Sequence, residues 1–158
     1  MSRVKKSAAI GVLAASFIGG AEGLRQNAYP DPATRGKPWT ICYGHTGPDV
    51  APGVHKSLDE CKALLLSDLD ERAGNQIEKC IPSLATAPPG RYVAVLSLAH
   101  NIGAGGVCRS SVARDLNAGR IRQACDDLLK FNRAAGFVMP GLTRRREQER
   151  RLCLIDAA

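Results

Sequence analysis

Residues Glu22–Thr46 read EGLRQNAYPDPATRGKPWTICYGHT, and how this stretch folds decides the reading of the rest of the chain. It sets an acid at Glu22, a second acid at Asp31 and a hydroxyl at Thr40, just before a Tyr43-Gly44-His45-Thr46 turn. Glu22 closes an apolar run able to form helix, whereas Asp31 lies in a segment rich in Pro and Gly. Trp39–Tyr43 (WTICY) is β-branched and aromatic, the composition of a short strand. A carboxyl leaving a helix and another leaving the adjoining hairpin can face each other across a cleft. Paired carboxyls in unlike environments suit the cleavage of a glycosidic bond: one hands over a proton while the other stays ionised.

The stretch resembles the phage-type lysozymes, the muramidases of tailed-phage endolysins. Two further motifs carry the same resemblance in the same order. His100-Asn101-Ile102-Gly103-Ala104-Gly105 is similar to the family's Asn-x-Gly-x-Gly turn, and Gly141-Leu142-Thr143-Arg144-Arg145-Arg146-Glu147 to its C-terminal Gly-Leu-x-x-Arg-Arg-x-x-Glu helix. The resemblance implies an α+β, mostly α, lysozyme-like fold of two lobes: a small β-hairpin lobe and a helical C-terminal lobe. It also implies a catalytic triad of Glu22, Asp31 and Thr40. The Asp31–Thr40 interval is longer than the family's usual one. The surplus falls in Pro32–Pro38 (PATRGKP), where turn-forming residues absorb it as a longer hairpin loop.

On this reading the reaction is hydrolysis of the β-1,4 bond between N-acetylmuramic acid and N-acetylglucosamine. Glu22 protonates the leaving oxygen, while ionised Asp31 and the Thr40 hydroxyl stabilise charge and orient water. The resemblance points to an inverting displacement, although the carboxylate separation that sets the outcome is not written in the sequence. Tyr43, His45, Asn101 and Gly103 are the candidate substrate-side residues. His45 and Asn101 are read as bracing their turns, and His100 as a structural histidine. Neither a cofactor nor a metal is expected. The rival readings are a lytic transglycosylase, a non-enzymatic cationic envelope-disrupting protein, and a silent peptidoglycan-binding module.

Composition narrows the classes. A chain of 158 residues allows one domain, with enough buried surface to fold unaided. The 22 Lys+Arg against 15 Asp+Glu leave a net charge of +7, which favours anionic polymers or lipid. Aromatics are only 4%, too few for a base-stacking platform, so nucleic acid is not an expected partner. Bacterial peptidoglycan is, with a monomer as the expected state. Cys42, Cys61, Cys80, Cys108, Cys125 and Cys153 form no CxxC pair, and their even number suits disulfides in an oxidising compartment. Six cysteines admit many pairings; the preferred ones are Cys42 with Cys61 and Cys125 with Cys153, the latter joining two helices.

The N-terminus has a basic head with Arg3, Lys5 and Lys6, then an uncharged run over residues 7–21. That is the outline of a secretory signal, yet the run is short and rich in Gly and Ala for a membrane span. Cleavage after Ala21 would strip away the helix that carries Glu22. The segment resembles the uncleaved signal-anchor-release segments of some endolysins. That implies two parts: residues 1–21 as a releasable anchor or first helix, and residues 22–158 as the catalytic domain. It also implies tethering, in an inactive state, to the host inner membrane through its anionic lipid, followed by release to the periplasm. Read as plain helix, the segment sets Ile10, Leu13, Ala14, Phe17 and Ile18 on one core-facing stripe.

Downstream, Ser57-Leu58-Asp59-Glu60 is a capping box opening a helix to about Lys79, ended by Pro82. Helices are also expected over Tyr92–Asn101, Ser111–Leu116, Ile121–Phe131 and Leu142–Leu154, making an all-helical C-terminal lobe. Arg144, Arg145, Arg146, Arg150 and Arg151 read as a solvated basic face with pairs such as Glu147 with Arg151.

Overall fold

The computed structural model describes residues 1–32 and 35–156. Arg3–Lys6 makes a single turn, α1. Extended Ser7 then breaks the chain, and its hydroxyl caps α2 (Ala8–Glu22) by accepting the Ile10 N–H at 3.4 Å. The expected stripe is real: Ile10, Ala14 and Ile18 are fully buried, with Leu13 and Phe17 packed beside them. Gly23 stops the helix at φ 77° and ψ 155°, a region that glycine alone enters readily. Glu22 is thereby held at the last helical position, and the chain passes at once into a sheet.

That sheet has β1 (Arg25–Pro30), β2 (Trp39–Cys42) and β3 (His45–Thr46) in sequence order, all antiparallel. Arg25 pairs with Cys42 and Tyr29 with Thr40, so residues 25–29 run beside only 40–42 and β1 must bulge. The long hairpin loop closes with Gly36 N–H donating to Asp31 O at 2.8 Å. Of the surplus placed in this loop, residues 33 and 34 lie outside the described residues. Ile41, Cys42, Val50 and Cys61 form a small core under the sheet, and Tyr43 packs against both this core and the main one.

The capping box is present: Ser57 Oγ accepts from Glu60 N–H at 3.2 Å, and Glu60 Oε2 from Ser57 N–H at 2.6 Å. It opens α3 (Leu58–Leu69), which runs through a π-helical turn, Asp70–Gly74, into α4 (Asn75–Cys80). The long helix expected from the sequence is therefore one path with a widened turn inside it. Buried Ser2 docks on that turn. Its N–H and hydroxyl donate to Asp70 Oδ1 at 2.5 and 2.7 Å, and a Cβ on Gly74 would lie 2.3 Å from its Oγ. Burial pushes the Asp70 carboxyl up, but the two Ser2 donors, the N-terminal ammonium and Lys5 hold it below the ordinary value.

The C-terminal lobe is built on α5 (Pro89–Ile102), buried continuously from Tyr92 to Ala99. Around it lie α6 (Ala104–Cys108), α7 (Ser111–Asn117), α8 (Ile121–Asp127) and α9 (Pro140–Leu154). Close approach of α9 to α5 needs Gly90, since a Cβ there would sit 2.6 Å from Leu152 O. Two expectations are corrected. The lobe is not all helical, because β4 (Arg133–Ala134) and β5 (Phe137–Val138) form a hairpin. Its two-residue loop puts Ala135 at φ 49° and Gly136 at φ 83°, as a twisted hairpin requires. Nor is the basic run of α9 a uniformly solvated face: Arg146 is fully buried, and no ion pair joins Glu147 to Arg151 among the described residues.

Three disulfides close the structure: Cys42–Cys61, Cys80–Cys108 and Cys125–Cys153. The two preferred pairings are found, and the third ties α4 to α6. In chain-entropy terms each contributes about 3 to 4 kcal/mol. Among the described residues, no helix is long and apolar enough to cross a membrane, and no cluster could hold a metal ion.

Candidate active site

Glu22, Asp31 and Thr40 come from three different elements and line one cleft of about 350 Å³, together with Arg25, Tyr29 and Thr46. Each is placed for a local reason. Glu22 is left at a helix end by the Gly23 turn. Asp31 follows directly on β1, half-buried. Thr40 sits mid-sheet, paired across to Tyr29 on one side and Thr46 on the other, and only 4% exposed. Its hydroxyl reaches Pro38 O at 3.5 Å.

The Glu22 carboxyl is held from the other lobe. Arg145 Nη1 donates to its Oε1 at 2.8 Å, and His100 Nε2 lies 3.7 Å from the same oxygen. Burial lowers the His100 pKa, against the pull of Glu22. Arg145 is itself anchored: its Nε lies 3.4 Å from Glu149 Oε1, and its Nη2 3.4 Å from both Ser97 O and Oγ. Behind it stands a buried pair. Arg146 Nη2 and Nε each approach Glu149 at 2.8 Å, the second contact close as an ion pair but poorly aligned as a hydrogen bond. Burial pushes the Glu149 carboxyl up and opposes the cations beside it.

The four candidate substrate-side residues sit elsewhere; among the described residues, none lines this cleft. Tyr43 packs on Gly19, where an added Cβ would lie 3.2 Å from its ring, and lines an adjoining groove along α2. His45 braces β3, with Nδ1 2.9 Å from Asp68 and Nε2 3.2 Å from Asp49. Asn101 Oδ1 accepts from Arg146 Nη1 at 2.8 Å, and Gly103, at φ 90°, turns the chain between α5 and α6. Both the His45 and Asn101 side chains are thus engaged in hydrogen bonds within the protein. Arg25 and Tyr29 in the cleft wall and Arg145 beside Glu22 are neighbours that sequence reasoning did not single out, and His100, read there as structural, also approaches Glu22. Arg145 lay inside a motif already singled out, but nothing in a run of arginines says which one turns inward.

A cleft with two acids and a hydroxyl, backed by an inward-facing arginine, is equipment for acid-assisted hydrolysis. The family model for phage lysozyme matches residues 19–149. The chain is 41% identical over 135 residues to the SAR-endolysin of Bacteriophage PS119, spanning 85% of this chain and 77% of that protein. It is 42% identical over 116 residues to the SAR-endolysin of Enterobacteria phage P21, spanning 73% and 68%. Among solved structures it resembles the active form of the P1 phage endolysin Lyz, with a TM-score of 0.75 and 27% identity over 98% of this chain and 91% of that one. The chain therefore belongs to the phage lysozyme family, whose members are peptidoglycan-hydrolysing enzymes.

Proposed function

We propose that this protein is an endolysin muramidase that hydrolyses the β-1,4 bond between N-acetylmuramic acid and N-acetylglucosamine during host lysis. The observation that carries the reading is the convergence of Glu22, Asp31 and Thr40 on one cleft. Glu22 is the general acid, protonating the leaving glycosidic oxygen. The Asp31 carboxylate offsets the oxocarbenium-like charge, with Thr40 Oγ as a second ligand for the attacking water. Arg145, fastened to Glu149 and Ser97, fixes where the Glu22 carboxyl points.

The test is digestion of purified peptidoglycan, read by mass spectrometry, with Glu22→Gln as control. Free muramic reducing ends are expected from the wild type. The control should be slower by about 100-fold or more, while still accepting the Arg145 hydrogen bond. Anhydro ends would assign the chemistry to a transglycosylase, and an uncut polymer would sink the enzymatic reading.

The same proposal divides the chain at residues 1–21 and 22–158, with the first part an anchor that leaves the inner membrane and repacks. The SAR-endolysin relatives and the likeness to an active endolysin support it. So does the docking of Ser2 and Arg3. Arg3 N–H donates to Glu78 Oε1 at 2.6 Å, and its guanidinium to Leu84 O and Ala87 O. On this view the protein is inactive at the membrane and works in the periplasm, as a monomer, on peptidoglycan.

A further inference from the structure

Helix α2 turns one face to the core through Ile10, Ala14 and Ile18, and its other face outward, where residues 7–21 supply no charge. Val12 on the outer face is 72% exposed. Three grooves run beside it. The first holds Val12, Leu24 and Lys62, the second Met139, Leu142 and Arg144, and the third Phe17, Ile155 and Arg151. They are continuous, because Ser16 and Gly20 line both the first and the third, while Ala21 and Gln148 line both the second and the third. Among the described residues, no Asp or Glu lines any of them. On α9, Arg145 and Arg150 are paired with Glu22 and Asp126, whereas Arg144 and Arg151 make no ion pair among the described residues.

An apolar exterior on α2 alone would follow from service as an anchor. The patch, however, extends beyond α2. Through Met139 it passes to the β4–β5 hairpin of the other lobe, where Phe137 is 73% exposed and Val138 is exposed beside it. Ile155, just past α9, is 68% exposed. Soluble proteins rarely leave such a contiguous apolar surface bare. Sugar polymers are held by groups that answer their hydroxyls and amides, and Phe, Val, Met and Ile side chains offer none. Apolar side chains set among unpaired cations match the boundary of an anionic bilayer, with acyl chains taking the first and headgroup phosphates the second. At 15 residues α2 is about 22 Å long, too short to cross a hydrocarbon core of about 30 Å but suited to lying along its surface. We propose that the folded protein docks on an anionic phospholipid surface through the outer face of α2 and the β4–β5 hairpin. This is a contact of the folded molecule, distinct from tethering by an inserted segment, and it does not depend on the muramidase reading.

The test is flotation of the full-length protein with vesicles of phosphatidylglycerol and phosphatidylethanolamine, or of phosphatidylcholine alone. Wild type should float with the anionic vesicles, lose affinity as salt rises from about 0.05 to about 0.5 M, and bind the neutral ones far less. Phe137→Ser combined with Met139→Ser should weaken binding about tenfold. Lys62→Gln combined with Arg151→Gln should weaken it about tenfold as well and flatten the salt dependence. Bound wild type should keep the cooperative thermal transition of the free protein, since α2 remains in its core. Binding unchanged in the hairpin variant, or loss of that transition on the vesicle, assigns the contact to inserted residues 7–21 and overturns the proposal. Failure to float overturns it too, whether the patch then proves to be covered by a second copy, seen as self-association, or to hold peptidoglycan sacculi. Glycan cleavage is read without vesicles, so either reading can fail while the other stands.

Discussion

Arg145 touches two carboxylates that belong to different parts of the molecule, Glu22 at the end of α2 and Glu149 one turn along its own helix. A long, flexible cation would be a poor guide for a catalytic carboxyl if it were free to move. Here Ser97 and Glu149 hold the guanidinium at fixed points, so its Nη1 presents a set direction to Glu22. Arg145→Met should lower kcat about tenfold with little change in KM, since positioning acts on the reacting geometry more than on glycan affinity. Arg145→Lys should recover only part, because a single ammonium cannot serve both carboxylates and the serine. A loss confined to KM would count against positioning.

At the scale of the element, α9 is decided by what its inner face meets. Arg146 and Glu149 are both fully buried, joined to each other and satisfied further by Asn101, Phe131 O and Ser97. Removing one partner strands the other in a low-dielectric interior. Arg146→Met should cost about 3 to 5 kcal/mol in urea denaturation, and a second change, Glu149→Leu, should recover much of it. A single-variant loss below about 1 kcal/mol would mean that the pair is reached by water. Outward along the same helix, Arg150 makes a half-exposed pair with Asp126 at 2.6 Å, whose removal should be felt far less. The motif resemblance marked this stretch as helix and composition marked it as basic. Which arginines turn inward depends on the phase of α9 against α5, and that is set by packing.

For the whole molecule, the response to acid is set in part at Asp127, whose side chain is 2% exposed. Burial pushes its carboxyl up, yet contacts from Lys130, Ser111 and Gln123 outweigh this and hold it down at about 2. A group held below its unfolded value stabilises the fold at higher pH. Its contribution is fully present above about pH 4 and is lost as pH falls through about 2. The loss should amount to about 2 kcal/mol. Melting temperature followed between pH 5 and 2 should drop in the wild type and drop less in Asp127→Asn. Equal slopes would remove Asp127 from the account.

Local chemistry alone determined a good deal. The capping box at Ser57, the stripe of Ile10, Ala14 and Ile18, the strand at Trp39–Cys42 and the breakers Gly23 and Pro82 are near-neighbour effects, and each element appears where its residues ask for it. The resemblance carried by the sequence motifs pointed to Glu22, Asp31 and Thr40, which do line one cleft. The hairpin at residues 133–138 escaped notice because its turn is Ala-Gly, a weaker signal than Asn-Gly, inside a segment otherwise flanked by helices. The neighbours of Glu22 also stayed hidden, since Arg145 lies far along the chain and reaches it only when α2, α5 and α9 pack together. The π-helical turn that receives Ser2, and the bulge that stacks Arg25 on Tyr29, arise from contacts between distant or unequal stretches of chain. Periodicity records which face of an element is apolar. Only tertiary packing decides which polar group that face is turned to meet.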